Sequence, residues 1–285
     1  MAINSKLQQM LSDAEKRGYA VPSFNYSCIW DFQAILEAAE EERSPVILAS
    51  HHSVFDMLSG EICAAIGKAA MDKATVPMVF HLDHSSEVSR CKKAIDLGYP
   101  SVMIDASALS LKENIASVKE VVEYAKGKNV CVEAEIGRIK GNGYEGGHNG
   151  EDFLAQVDDA VALVKESGVD SLAVGIGTAH GFYQGKPEIN FQRLKEVNDV
   201  LDLPLVLHGG SGIPEEDIKE GILNGINKIN VGTIIHCTLM NNIRKELMEK
   251  GENQYTLEIV KPAMDEVKEV VRGWIRTCMS NGKAD

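Results

Sequence analysis

Eight short apolar runs, nearly all separated by helical stretches, constrain this chain more than any other feature. They are 20–25, 44–50, 79–84, 101–105, 130–137, 171–177, 204–208 and 228–231. Most read as continuous Val, Ile and Leu rather than strict alternation, the mark of parallel strands buried on both faces. Between them lie helical patterns at 29–43, 86–97 and 111–127, and another after 50 interrupted at Gly60 and Gly67. Eight βα units in 285 residues match a closed (β/α)8 TIM barrel, here one domain spanning 1–285. An open doubly wound sheet is the rival, but it seldom needs eight such even repeats. A helix over 2–18, closed by Gly18, precedes the first run. A helical extension over about 252–280, containing Trp274, follows the last. A Gly-rich segment over about 138–150 breaks the repeat after the fifth run and has the composition of a mobile active-site loop.

A net charge of −13 speaks against nucleic acid or an anionic membrane as partner, since phosphate backbones need clustered Lys and Arg. It does not speak against a phosphorylated metabolite, which backbone N–H groups can hold locally. No apolar run reaches the roughly 18 residues of a membrane span. The six cysteines are scattered and read as reduced core residues, so the expectation is a cytoplasmic protein.

The polar residues that end the runs are Asn25, Ser50, Asp83 with His84, Asp105, Glu135, His180, His208 and Asn230. In a closed barrel these ends meet at one face, where active sites of the fold lie. Three histidines from three strands leave an open position on a metal, a catalytic zinc arrangement. His81 and His84 bracket Asp83 as equal candidates at this level. The glycine runs Gly209-Gly210-Ser211-Gly212 and Val231-Gly232-Thr233 follow the seventh and eighth strands, where such barrels often bind phosphate.

The segments His81-Leu82-Asp83-His84, Val132–Gly137, Gly177–Gly181, Leu207–Pro214 and Lys228–Val231 resemble the class II, zinc-dependent ketose-bisphosphate aldolases, which include fructose- and tagatose-bisphosphate aldolases. The likeness runs in order over roughly residues 5–240. It implies reversible aldol cleavage of a phosphorylated ketose into dihydroxyacetone phosphate and an aldehyde. Zinc would be held by His84, His180 and His208, and would polarise the carbonyl. Asp83 would transfer the proton, and His81 would become a supporting group. Asp105 and Glu135 would hold a second metal or an alternative zinc position. Gly181, Gly209, Gly210, Ser211, Asn230, Val231, Gly232 and Thr233 would bind dihydroxyacetone phosphate, with a monovalent cation (Na+ or K+) nearby. Ser50 would touch the aldehyde half, and Glu145 would serve as the loop's proton shuttle. The resemblance also implies a homodimer or homotetramer.

Three features depart from the family pattern. The loop's own acid is a single Glu145. His51-His52 follows Ser50, a pair that would either extend the substrate pocket or, as adjacent histidines more often do, lie on a surface loop. Thr256-Leu257-Glu258 stands where an Asp-Pro-Arg segment usually supplies an arginine to the distal phosphate. The substrate's distal end is therefore expected to differ from the standard bisphosphate sugars. No lysine is expected at a strand's C-terminal end, Lys228 opening the eighth run at the other end, which disfavours a Schiff base. Two other classes fit the sequence less well. A metal-dependent hydrolase lacks a His-x-His pair on the first strand, and a non-catalytic phosphate-binding barrel would not need Asp83 and all three histidines.

Overall fold

A computed structural model describes residues 5–141, 154–251 and 253–285. Its eight strands are β1 (Val21–Asn25), β2 (Val46–His51), β3 (Met78–Ser85), β4 (Ser101–Ile104), β5 (Cys131–Ile136), β6 (Ser171–Val174), β7 (Leu205–Leu207) and β8 (Ile226–Val231). All pair in parallel and in sequence order, and β8 closes on β1. The (β/α)8 barrel expected from the eight runs is the fold.

Helix α1 (Lys6–Arg17) begins at a reciprocal cap. Ser5 Oγ accepts from the Gln8 N–H, and the Gln8 side chain accepts from the Ser5 N–H. It ends at Gly18, whose φ of +66° suits glycine. Its apolar stripe, Leu7, Met10, Leu11 and Ala14, packs against Val21, Ile47, Val79 and Cys131. Those four are the first inward residues of their strands, so α1 plugs the N-terminal end of the barrel. Further up, the pleat brings Met103, Ala173 and Val206 together. Other inward positions are polar: Ser23, His81, Ser101, Glu133, Ser171 and Lys228, all fully buried. The barrel interior thus has an apolar floor under α1 and a mixed apolar and charged filling beneath its C-terminal face.

The segment after β2 splits differently from the sequence reading. Helix α3 (His52–Leu58) stops at Ser59, with φ of +70°, and α4 (Gly60–Lys73) runs on through Gly67. Gly67 is a packing residue rather than a break, because a Cβ there would lie 2.5 Å from the Phe80 ring. The C-terminal extension forms α11 (Thr256–Thr277), which buries Ile259, Ala263, Val267, Val271 and Ile275. It lies against α2 (Ile29–Glu41) and α10 (Thr233–Lys250). All six cysteines are free thiols, four of them buried. Among the described residues no helix is long and apolar enough to cross a membrane.

Candidate active site

Side chains on a strand alternate between faces, so consecutive residues should not both reach one site. Asp83 and His84 do, because β3 is irregular there. Its register with β4 shifts between Leu82 and Ser85, and His84 takes a left-handed φ of +47°. Such a bulge re-aims a side chain. It sends Asp83 to the cavity and His84 to its neighbouring histidines.

The carboxylate of Asp83 is held by two amides. Asn25 Nδ2 donates to Oδ2 at 2.7 Å, and Asn230 Nδ2 donates to Oδ1 at 3.0 Å. Burial alone would raise its pKa, but the cationic groups around it, His84 foremost, hold it well below the usual carboxylate range. Asp83 is an ionised, oriented base with lone pairs to spare.

Beside it the imidazoles meet. His84 Nδ1 lies 3.0 Å from Asp105 Oδ2, and His208 Nε2 lies 2.9 Å from Glu133 Oε1. Ionised carboxylates only accept, so both of these nitrogens donate. The remaining nitrogens, His84 Nε2 and His208 Nδ1, face each other at 2.7 Å. Two lone pairs so placed need a cation between them. In the metal-free protein that cation is a proton. Burial would lower the pKa of His84, but Asp83, Asp105 and Glu135 push it up to about 10. His180 completes the set. Its ring centroid is 4.8 Å from that of His84, and its buried Nε2 has no hydrogen-bond partner among the described residues. One nitrogen from each of the three rings lies within 4.8 Å of the other two. The donors fit a metal with tetrahedral nitrogen ligation and one open position.

His84, Asp105 and Glu135 form a second group at the same spacing. Ser107 Oγ donates to Asp105 Oδ1 at 2.7 Å and lies 3.0 Å from Glu135 Oε1, whereas Glu135 Oε2 is buried without a partner among the described residues. Burial and the charge of Asp105 push the Glu135 pKa well above normal. A carboxyl made reluctant to ionise by its acidic neighbour suits a site that can take a second cation.

A cavity of about 440 Å³ opens above these groups. It is lined by Asp83, His180, Gly181, Gly209, Gly210, Ser211, Asn230, Gly232 and Thr233, among others. The glycines are required sterically. A Cβ on Gly209, at φ +73°, would lie 2.3 Å from the Ala179 carbonyl oxygen, and one on Gly210 would lie 2.8 Å from that of Asn230. Tyr183 ties the two loops together. Its hydroxyl accepts from the Ala179 N–H at 2.8 Å and donates to the Gly209 carbonyl at 2.9 Å. Gly232 and Thr233 open α10, so backbone N–H groups and a helix N-terminus face the cavity, an arrangement suited to phosphate.

Several expectations need correction. Ser50 does not reach the cavity. Its hydroxyl bonds the His81 carbonyl at 3.2 Å and the Tyr99 hydroxyl at 3.0 Å. The pleat sends the next residue inward instead: His51 is the last residue of β2, 7% exposed, and lines the cavity, so it is no surface-loop residue. His180 is not a strand end, because β6 stops at Val174. A bridge between Lys140 and Ala179, with the His180 N–H bonded to the Lys140 carbonyl, positions it. Val231 is buried behind Gly210 rather than lining the cavity. The Asn230 amide holds Asp83. Lys228 does not open β8, which starts at Ile226. It points into the barrel, where its Nζ is 2.7 Å from Glu133 Oε2 and 3.4 Å from His81 Nε2. His81 lies beneath the site as a support, its Nδ1 2.7 Å from Ser101 Oγ. Glu145 and most of the Gly-rich loop lie outside the described residues.

The family model for class II fructose-bisphosphate aldolases matches residues 5–283. This chain belongs to that family. It is an aldolase, a carbon–carbon lyase. It is 40% identical over 281 residues to the 6-phospho-5-dehydro-2-deoxy-D-gluconate aldolase of Bacillus subtilis, covering 98% of this chain and 96% of that protein. It is 41% identical over 283 residues to the fructose-bisphosphate aldolase of Geobacillus stearothermophilus, covering 98% of each. Among solved structures it is similar to the YdjI aldolase of Escherichia coli K12, with a TM-score of 0.86 and 32% identity over 99% of both chains. In this class II aldolase Lys228 is fully buried in an ion pair with Glu133 beneath the cavity, a position unsuited to forming a Schiff base.

Proposed function

We propose that residues 1–285 form one catalytic domain of a zinc-dependent aldolase. It would cleave a phosphorylated ketose reversibly into dihydroxyacetone phosphate and an aldehyde. The observation that carries this reading is the pair of opposed imidazole lone pairs beside the partnerless His180 Nε2, one residue from an ionised carboxylate. Zinc held by His84, His180 and His208 supplies the positive charge that polarises a ketone carbonyl. Asp83 takes the proton of the hydroxyl on the carbon beyond the breaking bond, and Asn25 and Asn230 keep both its oxygens aimed. Gly181, the Gly209–Ser211 loop and the start of α10 bind the phosphate. Glu145 returns a proton to the three-carbon fragment, and Asp105 with Glu135 offers a second cation position. A monovalent cation beside the phosphate, a homo-oligomer and a cytoplasmic location complete the proposal. Rates compared in potassium, sodium and tetramethylammonium salts test the cation, and sedimentation tests the assembly.

A second reading of the substrate rests on charge. No Lys or Arg lines the cavity among the described residues, and 142–153 contains none in its sequence. A second phosphate is a dianion that normally needs such a partner. 6-Phospho-5-dehydro-2-deoxy-D-gluconate has the same phosphorylated keto end as the sugar bisphosphates but a singly charged carboxylate at the other. Cleavage between its C3 and C4 gives dihydroxyacetone phosphate and 3-oxopropanoate. A panel of fructose 1,6-bisphosphate, tagatose 1,6-bisphosphate and ketose phosphates with other distal ends decides between them. Preference for fructose bisphosphate sinks the second reading. Dihydroxyacetone phosphate release that survives complete zinc removal sinks the first.

A further inference from the structure

His51 sits opposite Asp83 in the β2–β3 register, so both side chains enter the barrel at one level. Its ring packs on His52, with centroids 4.0 Å apart. Nδ1 lies 3.3 Å from the Ser53 backbone nitrogen and 2.8 Å from Ser53 Oγ. A backbone N–H can only donate, so Nδ1 carries the lone pair, and the hydrogen of the neutral ring is on Nε2. Burial keeps the ring neutral, outweighing the attraction of Asp83 and pushing its pKa down to about 3. Nε2 is buried and has no partner among the described residues. Leaving such a donor unmet costs about 1–3 kcal/mol. In a ring that lines the cavity beside the catalytic base, the missing acceptor belongs to a ligand.

We propose that the His51 Nε2–H donates to the substrate oxygen that becomes the aldehyde carbonyl. This role rests on the aldolase reading above. In cleavage the carbon–carbon bond breaks with its electron pair staying on the ketone-side carbon, the hydroxyl proton passes to Asp83, and the hydroxyl oxygen becomes the carbonyl. His51 keeps its proton throughout and stabilises the charge growing on that oxygen as Asp83 removes the hydrogen. In synthesis the same N–H makes the aldehyde carbon more electrophilic. The phosphate of the ketone half is assigned to loops after β6, β7 and β8, whereas His51 stands on β2, beside Asp83. That separation assigns it to the aldehyde half.

Two reactions of the zinc-loaded enzyme test this. One is aldol cleavage. The other is exchange of a carbon-bound proton of dihydroxyacetone phosphate with deuterated solvent, which needs no aldehyde. His51→Phe keeps the ring and loses the donor, whereas His51→Gln places an amide N–H near the position of Nε2. Cleavage by His51→Phe is expected to fall about 10²-fold in kcat/KM, with exchange within about twofold of wild type and zinc content unchanged. His51→Gln should recover about tenfold of that loss. Parallel loss of cleavage and exchange, loss of neither, or no recovery by His51→Gln overturns the role. Absence of exchange in the wild-type enzyme overturns the aldolase reading, and the role of His51 with it.

Discussion

Glu133→Gln tests how the floor of the site is built. Glu133 and Lys228 are both fully buried and 2.7 Å apart, and the other oxygen of Glu133 accepts from His208 at 2.9 Å. The substitution preserves shape but leaves the Lys228 ammonium in the barrel without a counter-charge. Removing one partner of a buried ion pair costs about 3–5 kcal/mol. Unfolding entropy of about 2.1 cal/mol/K per residue comes to about 0.6 kcal/mol/K for this chain, so Tm should fall by about 5–8 °C. The measurement is thermal and urea unfolding of metal-free protein, which keeps zinc binding out of the comparison. Adding Lys228→Met removes the orphaned charge and should restore at least half of the loss. Burial alone would raise the pKa of Glu133, but Lys228 and the His208 hydrogen bond hold it below its ordinary value of 4.5. A depressed pKa means that the stabilisation is present above about pH 4.5 and is lost as pH falls towards the folded value. The gap between wild type and Glu133→Gln should therefore be flat from pH 8 to about 5 and narrow below. A loss under about 1 kcal/mol, or a double variant as unstable as the sum of the singles, would refute the argument.

Asp83→Ala should lower kcat by about 10²–10⁴-fold while leaving zinc content unchanged, and unaltered turnover would contradict its role as base. Gly209→Ala puts a methyl 2.3 Å from the Ala179 carbonyl at a φ that disfavours alanine. It should weaken dihydroxyacetone phosphate binding about tenfold or more and cost about 1–3 kcal/mol of stability, checked by calorimetry and unfolding. Zinc must displace the proton held by His84, whose pKa in the metal-free protein is raised to about 10. Apparent zinc affinity should therefore weaken about tenfold per unit fall in pH between about 9 and 7, as one displaced proton requires. Competition with a chelator of known pH dependence measures that slope, and a flat profile contradicts the assignment.

The barrel was legible because parallel strands covered on both faces leave long Val/Ile/Leu runs, and because the polar residue closing each run marks the catalytic face. Asp105, Glu135 and His208 fall where that logic puts them. The errors have a physical source in the period of two. A one-residue slip exchanges Ser50, which faces outward, for His51. The reverse happens at His84, where a bulge lets two consecutive residues serve one site and no composition signal announces it. His180 is positioned by a bridge and a tyrosine beyond its strand. Lys228 is hidden because its partner Glu133 is 95 residues away, a separation that no local pattern reports.

The Tyr183 hydroxyl joins the backbone beside His180 to the backbone beside His208, and the second of these loops also carries the glycines that face the cavity. The proposed metal ligands and phosphate cradle therefore share one cross-brace, and whatever orders one side of it orders the other. Thermodynamic reciprocity then requires that zinc and the phosphate of dihydroxyacetone phosphate raise each other's affinity by the same factor. Tyr183→Phe, which removes the brace while touching neither ligand, should bring that factor towards one. The enzyme would then bind its metal and its substrate as strangers.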